Sequence, residues 1–280
     1  MSFFVYNRLL SRLKALSRAA VAFSGGTDSA FLLFAAREAL GAENVLALTA
    51  DSAFFPREEA EGARALAANL GIRQVFVSAD PLSDPLIRQN PPDRCYHCKK
   101  RLLSVLKQRA QAEGFPCLLD GSNADDAGDY RPGAKAVREL QILSPLQEAG
   151  LKKDEIRALS KEYGLATWEK PASACLASRI PYGEPLTIEA LRRVEQAEAF
   201  LRSLGFSQLR VRAHQNLARI EVPFEELQGL MEACRTNGIV PMLRSLGFTY
   251  ITADLSGYRM GSMNEILREN RDNPRLENIR

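Results

Sequence analysis

The 280-residue chain has two histidines, one tryptophan and five cysteines, and each scarcity removes a class of function. With only His97 and His214 available, a histidine-rich zinc enzyme or a triad built on a histidine base is disfavoured. Five cysteines are an odd number at low density, unlike a secreted disulfide scaffold, so reduced thiols, a metal or catalysis are their expected uses. Long apolar runs are missing: stretches such as residues 30–36 and 45–50 fall well short of the ~20 residues that cross a bilayer. The early basic residues Arg8, Arg12, Lys14 and Arg18 are interleaved with leucine at helical spacing and lack the unbroken apolar segment of a signal peptide. A cytoplasmic protein with no membrane partner is expected. An excess of one charge is also lacking: 37 Lys and Arg against 34 Asp and Glu give a net +3. That is too little for a broad nucleic-acid surface, so any basic site must be local.

The remaining composition, 46% apolar and 25% charged, is that of a globular chain with a substantial core, and its length suits two domains. Residues 19–24 form a short apolar run, Gly25 and Gly26 follow, and residues 28–40 carry apolar side chains at helical spacing, which reads as strand, loop, helix. The pattern recurs: a strand at 45–49 and a helix at 57–70, a strand at 75–77 and a helix at 99–112, then a strand at 117–119. Strands alternating with helices predict an α/β fold, a doubly wound and mostly parallel sheet. Ser24, Asp51, Asp80 and Asp120 each follow a strand, at the sheet end where such folds bind ligands.

After a glycine- and proline-rich stretch at 172–185 the character changes. LRSLGF occurs at 201–206 and again at 243–248, each copy closing a predicted helix (188–203 and 224–245) and preceding a β-rich run. Strands at 208–212 and 218–222 with Gln215-Asn216 at the turn complete a small α+β domain of helix-strand-strand-helix-strand order, resembling half of a ferredoxin-like fold. Expected boundaries are 1–182 for the first domain, 183–268 for the second and 269–280 for a charged, frayed tail.

The chemistry sits in SGGTDS at residues 24–29, where a strand turns into a helix. Gly25 and Gly26 let the backbone approach an anion, the helix start offers N–H groups and a positive dipole end, and Ser24 and Ser29 add hydroxyls. Asp28 stands at the same helix start, where a carboxylate beside a bound phosphate would need a cation between them. The loop has no lysine and so is not an ordinary P-loop, GxxxxGK[ST]. It resembles instead the PP-loop of the ATP pyrophosphatases, which cleave ATP between the α and β phosphates and adenylylate a substrate.

Further stretches extend the likeness: DGSNADDAGDYRPG at 120–133, SPL to WEKP at 144–171, RCYHCKK at 94–100, SACLASRIPYG at 173–183, RVRAH at 210–214 and ARIEVP at 218–223. Over residues 18–265 the chain resembles the LarE family, ATP-dependent sulfur transferases that help build the nickel-pincer nucleotide cofactor. The resemblance implies ATP and Mg2+ as cofactors and a small mononucleotide as partner: pyridinium-3,5-biscarboxylic acid mononucleotide. Its ring carboxylates would be adenylylated and become thiocarboxylates. It implies no nucleic-acid partner and, by analogy, a homo-oligomer.

A second phosphate site is needed for such a substrate. Residues 201–219 hold Arg202, Arg210, Arg212 and Arg219 and no acidic residue. Arg210 and Arg212, two apart on a predicted strand, share a face and are the expected phosphate ligands; a solvated basic strand face is the plain alternative.

The sulfur source stays open at this level. Cys95 and Cys98 form a CxxC predicted just ahead of a helix, and Cys175 lies in the SACLASR loop. In the sacrificial type of the family a loop cysteine, at the position of Ala174 here, gives up its own sulfur, and the positions of Cys95 and Cys98 are not cysteine. The set Cys95, Cys98 and Cys175 resembles the three-cysteine type, which binds a 4Fe-4S cluster whose open iron takes sulfide from solution or from a donor protein. Cys175 as a sacrificial donor, and structural zinc completed by His97, His214 or Cys117, are the alternatives. Cys117 and Cys234 read as buried small hydrophobes. Three other functions compete: a transfer-RNA thiolase, which would need a basic RNA surface; an amide-forming enzyme, which would need an ammonia source; and a non-catalytic nucleotide sensor.

Overall fold

The computed structural model describes residues 2–128, 132–171, 174–259 and 261–262. The tail at 269–280 and Asp129, Tyr130 and Arg131 of the DGSN stretch lie outside the described residues. In chain order the elements begin α1 (Ser2–Lys14), β1 (Ala19–Ala22), α2 (Thr27–Leu40), β2 (Val45–Asp51), α3 (Arg57–Asn69), β3 (Arg73–Ser78), α4 (Pro85–Arg88), α5 (Arg94–Ala112) and β4 (Leu118–Leu119). They continue α6 (Pro132–Glu139), α7 (Pro145–Ala149), α8 (Lys153–Glu162), α9 (Ile188–Ser203), β5 (Arg210–His214), β6 (Leu217–Glu221), α10 (Leu227–Thr236), α11 (Ile239–Ser245) and β7 (Tyr250–Ala253). They form two compact units, Met1–Asp84 with Asp93–Ser173, and Pro85–Pro92 with Ala174–Arg280.

The first unit holds a sheet of order β3-β2-β1-β4 with every pair parallel. Alternate residues of the central strands feed opposite faces. Ala19, Val21, Val45 and Ala47 join a core with α1, α2 and α8, while Ala20, Leu46 and Leu48 join a second core with α5. Both faces are therefore covered, which explains the nearly unbroken apolar runs of β1 and β2. Chain order runs β1, β2, β3 outward on one side and returns to place β4 on the other, so the sheet reverses direction between β1 and β4. Ligands bind at such a reversal, beyond the carboxyl ends of the strands.

In the second unit β5 pairs antiparallel with β6 and β6 parallel with β7. Gln215 makes the hairpin turn with φ of 51°. Asn90, fully buried, donates from Nδ2 to the carbonyls of Pro181 (2.7 Å) and Glu184 (3.1 Å), which ties Pro85–Pro92 to the residues after the 3-10 turn Leu176–Arg179.

Several local expectations shift. β5 starts two residues later than the sequence pattern suggests. The predicted helix 224–245 is broken into a 3-10 turn, α10 and α11, because Gly238 adopts a left-handed φ of 67°. The LRSLGF repeat is a helix-ending device. In each copy the glycine N–H returns to the carbonyl three residues back (Gly205 to Arg202 and Gly247 to Arg244, both 2.9 Å). The following phenylalanine N–H reaches five back (Phe206 to Leu201 3.3 Å, Phe248 to Leu243 3.2 Å), and its ring is buried. This is a Schellman cap with its apolar clasp. α5 in the first unit ends the same way, with Gly114 to Gln111 and Phe115 to Ala110.

Candidate functional site

The SGGTDS loop leaves β1 at Ala22 and enters α2 at Thr27. Gly25 has a φ of +74°, and a Cβ there would lie 2.9 Å from the Cβ of Ala63, so only glycine fits the turn. The backbone is closed on itself: Ser24 N–H donates to Ser29 Oγ (3.3 Å), Gly26 N–H to Ser24 Oγ (3.3 Å) and Ser29 Oγ to the Gly26 carbonyl (3.1 Å). Gly26 caps α2 without any side-chain acceptor, so the first N–H groups of the helix stay open to an anion.

The segments around the loop bring charges that spacing in the sequence did not reveal. Asp28 Oδ2 accepts from Lys153 Nζ at 2.7 Å, while Asp28 Oδ1 is buried with no hydrogen-bond partner. Lys170 Nζ donates to the Gly25 carbonyl at 3.1 Å and pairs with Glu59. Thr27 Oγ1 donates to the Thr167 carbonyl at 2.9 Å, so the WEKP segment is fastened to the start of α2. Beyond β4, Asp120 is buried and accepts from Ser144 Oγ (2.6 Å), Ser122 Oγ (2.7 Å) and Lys99 Nζ (3.1 Å). Gly121 lies so close to Ser29 that a Cβ would meet its backbone nitrogen at 3.0 Å. The loops after β1 and β4 are thus in contact at the sheet reversal. Lys153 and Lys170 sit inside the SPL to WEKP stretch, and their place in that stretch was the signal available in the sequence.

Asp28 meets a test for Mg2+: one carboxylate oxygen is committed to a lysine and the other is buried and orphaned, a state that a cation would relieve. Ser24, Gly25, Gly26 and Ser29 line the same turn.

In the second unit the loop carrying Cys175 is pinned by arginine. Arg179, 1% exposed, donates to the carbonyls of Ala174 (2.6 Å) and Cys175 (3.1 Å) while forking onto Glu198 (2.8 and 2.9 Å). Glu198 is shared with Arg202 at 3.1 Å and accepts from the Val211 N–H. Arg212 is buried, forks onto Glu221 (2.9 and 2.8 Å) and donates to the Ser178 carbonyl at 2.8 Å and to Ser262 Oγ at 2.9 Å. Glu221 also takes Arg219 at 3.1 Å. Arg210 and Arg212, expected to share a strand face, differ in their surroundings. The strand register sets Arg210 opposite Glu221 and Arg212 opposite Arg219, and Arg212 resolves that like-charge pair by reaching diagonally to Glu221. Arg210 is half-buried beside the Tyr258 ring, its centroid 5.3 Å away. Burial, and after it the charge of Arg179, push its pKa down from the ordinary value. A third carboxylate, Asp254, lies 3.6 Å from Arg219.

The CxxC does not precede a helix but opens one: Cys95 and Cys98 lie in the first turns of α5. Residues three apart share a helix face; Cys95 is exposed and Cys98 half-buried. They belong to the first unit and Cys175 to the second. Among the described residues no three His, Cys, Asp or Glu side chains are gathered as a metal site. His97 Nε2 lies 3.1 Å from Asp93 Oδ2. Cys117, just before β4, and Cys234 on α10 are half-buried rather than buried, and burial pushes both thiols up.

A model of the NAD synthase family matches residues 7–93, the part containing the SGGTDS loop. The pyridinium-3,5-bisthiocarboxylic acid mononucleotide synthase of Lactiplantibacillus plantarum is 44% identical over 92% of this chain and 93% of that enzyme. A protein of Synechocystis is 44% identical over 90% of this chain and 94% of its own. The transfer-RNA-specific 2-thiouridylase of Mycolicibacterium smegmatis is 30% identical, over only 56% of this chain and 53% of that enzyme. Identity at that level across nearly the whole of both chains, with a PP-loop at the sheet reversal, places this protein in the LarE family of PP-loop ATP pyrophosphatases.

Proposed function

We propose that the protein is an ATP-dependent sulfur transferase acting on pyridinium-3,5-biscarboxylic acid mononucleotide, converting its ring carboxylates to thiocarboxylates for a nickel-pincer nucleotide. One observation carries the reading. A single chain joins an open phosphate cradle, with an orphaned Asp28 oxygen, to a thiol loop at Cys175 tied by Arg179 to an arginine-rich cluster.

A carboxylate is a poor electrophile, because its charge repels a thiolate and oxide does not leave. In the first step a substrate carboxylate oxygen attacks the α-phosphorus of ATP and pyrophosphate departs. Gly25, Gly26 and the N–H groups of α2 hold the phosphates, Ser24 and Ser29 add hydroxyl donors, and Asp28 would hold Mg2+, which when bound would supply positive charge to the phosphates. Lys170, through the Gly25 carbonyl, keeps the loop in this shape. In the second step a sulfur nucleophile attacks the acyl carbon and AMP leaves. The substrate phosphate is assigned to Arg210, with Arg212 behind it, since a guanidinium is a fitting bidentate partner for phosphate.

Cys95, Cys98 and Cys175 are the proposed ligands of a 4Fe-4S cluster, which would offer one open iron to a sulfide supplied in solution or by a donor protein. The shared helix face of Cys95 and Cys98 supports this. The other source is Cys175 itself. Intact mass separates them: a sacrificed Cys175 leaves the spent chain about 34 Da lighter as a thiolate is lost, whereas a cluster enzyme keeps its mass and turns over repeatedly with sulfide.

A transfer-RNA substrate is disfavoured by the net charge of +3 and by a match to the thiouridylase that stops at about half of each chain. No helix among the described residues is long and apolar enough to cross a membrane; a cytoplasmic setting fits five cysteines without a disulfide scaffold. A homo-oligomer is proposed because Phe224, Met231, Tyr250 and Leu255 are exposed on the second unit, apolar area that a second copy would cover. The test of the whole reading is pyrophosphate release that requires the pyridinium mononucleotide and does not occur with transfer RNA.

A further inference from the structure

A phosphate cradle without its own lysine must find positive charge elsewhere, and two lysines reach the SGGTDS loop. Their situations differ. Lys170 is held by two acceptors, the Gly25 carbonyl and Glu59, and so braces the loop. Lys153 has one acceptor, Asp28 Oδ2, at 2.7 Å, and the pair is partly exposed, with 31% and 24% of the two side chains accessible. The base of Lys153 is anchored: it is the first residue of α8, its N–H donates to Asp125 Oδ2 at 2.8 Å, and the Lys152 N–H donates to Glu155 at 3.0 Å. Its backbone is fixed and its ammonium hangs on a flexible stem from an exposed ion pair, which holds weakly and breaks cheaply. Asp28 keeps its second oxygen buried without a partner.

We propose that Lys153 is an exchangeable counter-ion. Without nucleotide it occupies the cation position at Asp28; when Mg2+ arrives with ATP or pyrophosphate, the metal takes Asp28 and Lys153 turns to the β- and γ-phosphate oxygens. Asp28 is never left facing phosphate without a cation, and Mg2+ alone competes poorly for a carboxylate already neutralised. Nucleotide and metal therefore bind as one unit, and release of pyrophosphate with Mg2+ restores the Lys153–Asp28 pair. The inference rests on reading this loop as the ATP site.

Calorimetric titration of the full chain with Mg2+ alone, with pyrophosphate alone and with both tests it without turnover. Wild type is expected to bind the two together far more tightly than either alone. Lys153→Gln should bind Mg2+ alone more tightly than wild type, and should bind magnesium pyrophosphate about tenfold to a hundredfold more weakly, the range for one lost charge-assisted hydrogen bond. Lys153→Arg should keep most pyrophosphate affinity. Asp28→Asn, which frees the ammonium, should bind metal-free pyrophosphate better than wild type and gain nothing from Mg2+. Unchanged pyrophosphate affinity in Lys153→Gln, or metal-free pyrophosphate binding in Asp28→Asn no better than wild type, overturns the exchange. If wild type bound neither magnesium pyrophosphate nor magnesium ATP, the ATP site itself would be misassigned, an outcome distinct from the failure of the exchange.

Discussion

The two charged regions of this protein are built on opposite plans. At the SGGTDS loop, the Asp28–Lys153 pair is partly exposed and incomplete, with an open helix start and an orphaned Asp28 oxygen. In the second unit, Arg179, Glu198, Arg212 and Glu221 are buried and each carboxylate is shared by two arginines. The first plan waits for a ligand that brings its own charge and cation. The second has its counter-charges installed, and removing one leaves a buried charge uncompensated. Function should fail without loss of stability in the first region, and stability should fail with function in the second.

The largest expected effect is at Asp28. Asp28→Ala should abolish pyrophosphate release, because it removes the carboxylate that would hold Mg2+ at the loop. The melting temperature should barely move, since a partly exposed ion pair is worth about 0–1 kcal/mol. Turnover near wild type, followed by pyrophosphate assay, would remove Asp28 from the site. The complement is Glu198→Ala, which strands Arg179 in the interior and also removes the acceptor of the Val211 N–H. Breaking a buried pair in this way costs about 3–5 kcal/mol, read as a lower denaturation midpoint. An unchanged midpoint would erase the contrast between the regions.

A smaller split is expected between neighbours on β5. Arg210→Ala should raise the KM for the mononucleotide roughly tenfold to a hundredfold and leave the KM for ATP and the melting temperature close to wild type. Arg212→Ala, which removes the fork on Glu221 and the donor to the Ser178 carbonyl, should lower stability as well. A rise in the KM for ATP alone would mean that the two phosphate sites are exchanged.

The regions also differ in how far the sequence disclosed them. The SGGTDS loop was legible because its glycines, its helix start and its strand are contiguous, so local rules describe it. The alternation of strand and helix gave the parallel sheet for the same reason. Lys153 was not, standing 125 residues from Asp28 with nothing local to mark the pairing. The fork of Arg212 onto Glu221 was not legible either, because its partner comes from the next strand, and side-chain period gives a face without saying what waits on it. The CxxC was placed ahead of α5 because apolar periodicity starts only near Leu102, whereas the helix begins at Arg94. LRSLGF marked two helix ends correctly, and the same cap on α5 in the first unit shows that its repetition reflects local chain chemistry.

The smallest effect concerns pH and the edge of the arginine cluster. His214 ends β5 with Nε2 buried and without a hydrogen-bond partner. Burial, and next the charge of Arg219 with that of Arg212 behind it, hold its pKa below the ordinary 6.5, while Glu184 and Glu221 pull the other way. A base whose pKa is lowered by folding is protonated first in the unfolded chain, so acid favours unfolding. Its contribution is flat above pH 6.5, where both states are neutral, and is lost as pH falls from 6.5 toward the lowered native value. Partial exposure keeps the effect modest. His214→Gln should flatten the fall in melting temperature between about pH 6.5 and 5.5 and leave the value at pH 8 near that of wild type. An unaltered slope would mean that the carboxylates shared by the arginines, and not His214, govern the acid side of stability.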